Sequence, residues 1–202
     1  MDTTFLREIS LLVRSPKKGI DEIFWFGTLE KGIKAGLAGW CATHILGFAL
    51  GIVLLPLAMT FGGFLFGFIP AAYGIFSILS EILGLGIYWF IGSFILWKLL
   101  SVLLEREFDF KQVLMGTAYV EGYTGALGLA LILVSIICIY ITPFLMILLV
   151  PLALAYVGAV IYVAVMLLSR IMKVEPLTVG AVYVVLFIIN LLYNWIMRIL
   201  FA

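Results

Sequence analysis

Several polar side chains lie inside long apolar stretches of the chain, where a bilayer would offer them no water. At a helical rise of 1.5 Å per residue, Glu81 and Glu121 would lie roughly 15 Å into the second and third predicted spans, and His44 would reach a similar depth in the first. A charge at that depth costs at least about 2.5–3.5 kcal/mol, so an ionisable residue there indicates a functional site. The neutral residues could hydrogen-bond a carboxyl group. The whole set is Glu81, Glu121, His44, Asn190, Asn194 and Tyr88.

Two interpretations of these residues stay open. In the first, Glu81, Glu121 and His44 share a polar pocket at the membrane midplane and relay protons or hold a cation. In the second, each carboxyl group is neutral and hydrogen-bonds a polar side chain on a neighbouring helix. One histidine and two carboxylates could surround a metal, but the sequence has no H-E-x-x-H motif and no clustered Cys/His spacing. We therefore expect neither a metal nor a cofactor.

The composition is that of an integral membrane protein. Of the 202 residues, 65% are hydrophobic and only 11% are charged, against about 45–50% and about 25% in ordinary globular domains. A net charge of +1 provides no basic surface for nucleic acid. Asp2 and Glu8 lie where a signal peptide would be basic, so we expect no cleaved leader. Both cysteines, Cys41 and Cys138, lie in apolar stretches and are expected to be small buried side chains.

The charges divide the chain into three apolar blocks, and their basic flanks predict the topology. Lysines and arginines precede and follow the first two blocks, so the positive-inside rule places both flanks in the cytoplasm and an even number of crossings between them. Pro56, Gly62, Gly63 and Pro70 would mark the first outer turn. We predict an all-α bundle of five transmembrane helices, with a cytoplasmic N-terminus and an external C-terminus. The spans are 35–59, 70–97, 112–139, 143–169 and 178–201; a six-span arrangement is the alternative.

Residues 1–34 are predicted to form a cytoplasmic, interfacial segment ahead of a single transmembrane domain, 35–202. Apolar residues recur at helical spacing from Phe5 to Val13, and Ser15 and Pro16 then suit the start of a second helix. Either these helices present a surface to a cytoplasmic partner, or they lie under the bundle and cover it. The candidate partner surface comprises Phe5, Leu6, Ile9, Trp25, Phe108 and Phe110.

Small residues at every fourth position predict close helix packing. One row lies on the first span and contains Gly39, Thr43, Gly47 and Gly51; the other lies on the third span and contains Gly122 and Ala126. The two rows could pack against each other within the chain, or one could serve a homo-oligomer.

No enzyme signature accompanies these features. The sequence has no G-x-S-x-G, no phosphate-binding loop and no glycine-rich dinucleotide loop. We therefore expect a protein that is not an enzyme. The two predicted hairpins have the same orientation, so they are not the inverted repeat typical of many transporters.

The arrangement resembles the Yip family, the Ypt/Rab-interacting multipass proteins of the early secretory pathway. The resemblance lies in residues 11–16 (Leu-Leu-Val-Arg-Ser-Pro), in the loop 108–114 leading to Ala118 and Tyr119, and in the five-span topology. The Asp-Leu-Tyr-Gly-Pro motif and the long N-terminal region of the eukaryotic members are absent, which fits a compact prokaryotic member in the cytoplasmic membrane.

The resemblance implies a membrane scaffold or organiser whose cytoplasmic face recruits a partner or shapes the bilayer. The alternative is a small ion, proton or solute carrier that uses the midplane carboxylates. The predicted partners are the lipid bilayer, a cytoplasmic protein and a second copy of the chain, with no nucleic acid.

Overall fold

The structure, a computed structural model, describes residues 4–60, 75–141, 148–186 and 188. These residues form helices and short connections, with no strand within the described ranges. The helices are α1 (Thr4–Arg14), α2 (Pro16–Phe26), α3 (Leu29–Thr60), α4 (Ile75–Leu103), α5 (Phe110–Ile141), α6 (Leu149–Met172) and α7 (Pro176–Leu186).

Helices α4, α5 and α6 are long and apolar enough to cross a membrane over Leu83–Leu103, Phe110–Ser135 and Leu149–Met172. By length and composition, the chain is a membrane protein. The first predicted span lies in α3 and the last begins in α7. The second part of that last span, and the breaks predicted at Gly62 to Pro70 and near Pro143, lie outside the described residues. Pro56 lies inside α3, so it does not begin the outer turn; transmembrane helices tolerate such a proline.

Helices α1 and α2 form a compact pair at one end of the bundle. As predicted, the chain breaks between Arg14 and Pro16, and Pro16 occupies the first turn of α2. Ser15 makes no side-chain cap, but its carbonyl oxygen accepts the Gly19 N–H at 3.0 Å. A Cβ atom on Gly19 would lie only 2.6 Å from the Leu12 Cα, so the glycine allows the two backbones to approach closely.

Helices α3 and α5 run parallel and are the most closely packed pair. Gly32 on α3 lies against Met115 and Ala118 on α5, and further along the pair Gly39 lies against Gly122 and Gly125. A Cβ atom on Gly125 would overlap the Gly39 backbone, and one on Gly122 would lie 2.9 Å from the Ala35 carbonyl carbon. The two small-residue rows thus meet within the chain.

The other members of the small-residue rows on α3 and α5 are Thr43, Gly47, Gly51 and Ala126. The Thr43 methyl group lies 3.4 Å from where a Gly128 Cβ atom would be. Ala126 is partly buried against the core. Gly47 and Gly51 are helical in α3, and their packing lies outside the described features.

The other helices alternate in direction around this pair. Helix α4 runs opposite to α5, since Trp97 near its end meets Phe108 before α5, whereas Trp89 meets Thr117. Helix α6 also runs opposite to α5 and ends beside α2, where Arg170 lies 3.4 Å from Asp21. Helix α7 then turns back along α6. The basic residues within the described ranges therefore lie at one end of the bundle, called here the charged end.

Within the described residues, the buried core joins side chains from α1, α2 and the long helices, so α1 and α2 are part of the folded bundle. Its largest fully buried members include Leu12, Ile23, Leu100, Tyr119 and Leu168.

Candidate functional site

Glu121 lies on α5, 11 residues after Phe110, so it is roughly 16 Å along the helix from the charged end. Its Oε2 accepts a hydrogen bond at 3.1 Å from the indole N–H of Trp40 on α3. Trp40 is buried, and its ring meets that of Trp89 on α4 edge-on at 6.1 Å. The carboxyl group is therefore held where α3, α4 and α5 meet.

A second polar group lies one turn nearer the charged end. The Trp89 indole N–H donates to the Thr117 hydroxyl at 3.0 Å, and the Thr117 and Ser93 hydroxyl oxygens are 2.7 Å apart. Both hydroxyl groups also lie within hydrogen-bonding distance of backbone carbonyls of their own helices. Because the donors and acceptors satisfy each other, this group joins α4 to α5 and does not need a ligand.

These residues line a cavity of about 590 Å³ between α3, α4, α5, α6 and α7. We call it the Glu121 cavity. Its polar lining comprises Trp40, Tyr88, Trp89, Ser93, Thr117, Glu121, Thr124 and Tyr183. Among the described residues that line it, none is basic and Glu121 is the only carboxylic acid.

A carboxyl group in this position could bind a proton or a cation. Only one hydrogen bond to it is described, from a neutral indole, and an ionised carboxylate needs more compensation than that in an apolar medium. No cluster of three or more potential metal ligands occurs in the part of the chain that the structure describes.

Of the other residues predicted for the midplane pocket, only Tyr88 is described as lining the Glu121 cavity. Tyr88 lines the Glu121 cavity with a side chain that is 72% exposed. The His44 Nδ1 lies 2.8 Å from the Trp40 carbonyl oxygen on its own helix, and among the described residues His44 is not part of the cavity lining. Glu81 is helical in α4, but its side chain lies outside the described features, as do Asn190 and Asn194 entirely. The predicted meeting of Glu81, Glu121 and His44 stays a prediction.

A buried carboxylate that the sequence analysis did not select lies at the charged end. Glu8 of α1 is only 3% exposed. Its Oε1 lies 3.0 Å from the Lys31 Nζ on α3, and its Oε2 accepts the Tyr119 hydroxyl of α5 at 2.5 Å. The three residues together join α1 to both helices of the central pair. Glu8 was missed because, on α1 alone, a glutamate among arginines is typical of a solvent-exposed face.

The predicted partner surface divides into buried and exposed residues. Ile9 is buried in the core, and Phe5 packs against it, so both hold α1 in place. Leu6 and Trp25 are 52% and 70% exposed. With Val13 and Phe26, they are the exposed large apolar side chains of α1 and α2.

Phe108 and Phe110 secure the turn between α4 and α5. The Phe108 carbonyl oxygen accepts the Trp97 indole N–H at 2.7 Å. The Phe110 ring lies 5.6 Å from the rings of both Trp97 and Phe90. Both residues are partly exposed, and their contribution to a partner surface stays a prediction.

No known protein family, curated protein or solved structure matches this chain.

Proposed function

We propose that this protein is a multi-pass membrane scaffold of the Yip type, located in a prokaryotic cytoplasmic membrane. It would have five spans, with the charged end in the cytoplasm and the C-terminus outside. The alternating helix directions and the basic residues gathered at one end support this topology. Three of the proposed spans coincide with helices that are long and apolar enough to cross a membrane.

One observation carries the scaffold function: α1 and α2 are fixed to the bundle while they expose apolar side chains. Buried Glu8 ties α1 to α3 and α5, and Arg7 pairs with Glu22 of α2 at 2.6 Å. Helices whose inner faces are already buried do not need Leu6, Trp25 and Phe26 for their own packing. We infer that this fixed surface binds a protein at the cytoplasmic side of the membrane.

A photoreactive amino acid incorporated at Trp25, Leu6 or Ile87 tests the partner surface in the native membrane. Ile87 is an exposed residue of α4 in its membrane-crossing stretch and provides the control. We expect discrete protein adducts from positions 25 and 6 and lipid adducts from position 87. Lipid adducts from all three positions would show that the exposed residues of α1 and α2 only anchor the protein in the headgroup region.

The Glu121 cavity favours a second candidate function, a proton or cation carrier. A carboxyl group with a single described hydrogen bond, facing a cavity of about 590 Å³, could exchange a proton or a cation. To test this, proton and cation flux is measured in proteoliposomes under an imposed pH gradient. Wild type is compared with Glu121→Gln and with Glu81→Gln/Glu121→Gln. A carrier would lose flux in both variants while staying folded; a scaffold would show no difference between wild type and either variant.

A further inference from the structure

We propose that the cavity between α2 and α6 at the charged end binds the headgroup of an anionic phospholipid. The cavity has a volume of about 760 Å³ and also extends to the turn between α6 and α7. We call it the α2–α6 cavity. The residues that matter for binding are Lys17, Asp21, Phe24, Met166, Arg170 and Lys173.

The charge of the cavity suits an anion. Three basic residues, Lys17, Arg170 and Lys173, line it with one acidic residue, Asp21. Arg170 is 3.4 Å from Asp21 and lies over the Phe24 ring at 5.1 Å, so its position is set by α2. Among the described hydrogen bonds and ion pairs, none involves the side chain of Lys17 or Lys173. The positive charge of these two lysines is therefore available to a phosphate group.

The shape and location suit a lipid better than free phosphate. Ile20, Phe24, Met166 and Val174 give the cavity apolar walls, and it continues along α6 to Tyr162. Tyr162 precedes Arg170 by eight residues, which is roughly 12 Å along the helix towards the bilayer interior. A phosphate at the basic residues would thus leave an acyl chain lying along α6. Basic recesses between helices on the cytoplasmic side are typical headgroup sites.

The backbone at Lys173 supplies an independent observation. Lys173 ends α6 in the left-handed conformation, with φ 54° and ψ 47°. Glycine or asparagine usually occupies such a position, because a side chain with a Cβ atom is disfavoured there. The Ser169 hydroxyl donates to the Val174 carbonyl oxygen at 2.5 Å and secures the turn. A lysine in a glycine position is thus held at the rim of a basic cavity, which indicates a use for its charge.

The test is a titration of the purified protein in mild detergent, followed by native mass spectrometry. Phosphatidylglycerol, phosphatidylcholine and inorganic phosphate are the three probes. Lys17→Gln/Lys173→Asn removes two positive charges from the cavity, and asparagine suits the backbone at 173. Arg14→Gln/Lys18→Gln removes two exposed charges at the same end outside the cavity and is the matched control.

We expect wild type to prefer phosphatidylglycerol over phosphatidylcholine, and the cavity variant to bind phosphatidylglycerol about 10- to 30-fold more weakly. The control variant should bind like wild type. Asp21→Asn should bind more tightly, a gain that misfolding cannot produce, and its loss of a half-exposed ion pair leaves the fold intact.

Three results would overturn the proposal. The first is equal weakening in the cavity and control variants, which would indicate attraction to the whole charged end. The second is equal binding of phosphatidylglycerol and phosphatidylcholine by wild type. The third is displacement of phosphatidylglycerol by millimolar inorganic phosphate, which would assign the cavity to free phosphate.

Discussion

At the residue scale, the network around Glu8 explains why a charge lies in the core of a membrane protein. The Glu8 carboxylate has a cation, Lys31, and a hydroxyl donor, Tyr119, so its burial is compensated. Lys31 also donates to the Phe26 carbonyl oxygen at 3.0 Å, near the end of α2. One lysine therefore helps to position both N-terminal helices.

Removing that lysine should destabilise the protein. Lys31→Met leaves Glu8 without its cation, and we expect a loss of about 2–3 kcal/mol, less than for a fully buried pair because the Lys31 side chain is 21% exposed. Glu8→Gln in the Lys31→Met background should recover part of this loss, since no uncompensated charge remains. Unfolding in detergent, followed by circular dichroism, measures both changes.

The control is Arg7→Met. Arg7 pairs with Glu22 at 2.6 Å, but the Arg7 side chain is 74% exposed, so its loss should change stability by about 1 kcal/mol or less. Equal destabilisation by Lys31→Met and Arg7→Met would show that the buried position of Glu8 has no energetic consequence.

The hydrogen bond between Trp40 and Glu121 gives a second prediction at this scale. Glu121→Gln keeps an acceptor for the buried indole N–H, so stability should stay close to that of wild type. Glu121→Leu leaves the donor unpaired and should cost about 1–3 kcal/mol. Trp40→Phe in the Glu121→Leu background should recover part of that cost. Equal unfolding midpoints for the Gln and Leu variants would contradict the described hydrogen bond.

At the element scale, the parallel pair α3 and α5 organises the bundle. Small residues let the two backbones meet at Gly39, Gly122 and Gly125, and Trp40 then lies beside Glu121. Helices that face lipid gain little from burying apolar surface, so close van der Waals packing is a main source of their association. The position of the Glu121 cavity follows from this packing.

Gly125→Ala should therefore separate α3 from α5. The added methyl group would overlap the Gly39 backbone, which cannot move aside as a flexible side chain can, and we expect a loss of about 1–3 kcal/mol. Gly158→Ala on α6 is the control, because no atom lies within 4 Å of its Cβ position. That variant should be neutral or slightly more stable. Detergent unfolding compares the two, and a neutral Gly125→Ala would contradict the close packing.

At the scale of the whole molecule, the turns and helix ends near α1 and α2 carry the positive charge of the described residues. The segments containing Lys18, Arg106 and Glu175 come from three distant parts of the sequence. They lie at the same end because the chain runs away from the charged end along α3 and back along α4, and does the same along α5 and α6. The topology proposed above therefore makes one prediction for all three segments.

Single cysteines at positions 18, 106 and 175 should react with a membrane-impermeant thiol reagent only from the cytoplasmic side. The background has Cys41 and Cys138 replaced by alanine, and the labelled fraction in spheroplasts and in inverted vesicles is the measurement. Labelling of position 106 from the opposite side to position 18 would contradict two crossings between α2 and α5. A C-terminal reporter active outside the cell would complete the five-span count.

Much of the helical arrangement could be predicted from the sequence. The break at Ser15 and Pro16, the three helices long and apolar enough to cross a membrane, and the small-residue rows each depend on neighbouring residues or on helical periodicity. The burial of Glu8 could not be predicted, because its compensation comes from Lys31 and Tyr119, which are 23 and 111 residues away. Ile9 was assigned to a surface for the same reason.

The sequence by itself determined that the chain enters a membrane and where its helices lie, since hydropathy, charge and helical period are local properties. Only the tertiary structure decided which polar groups meet. Trp40 and Glu121 are 81 residues apart. Arg170 pairs with Asp21 of α2, and the residues around Asp21 in the sequence do not indicate that partner. The physical reason is that side-chain partners depend on how helices cross and rotate against each other, which is set by backbone contacts such as Gly39 with Gly125.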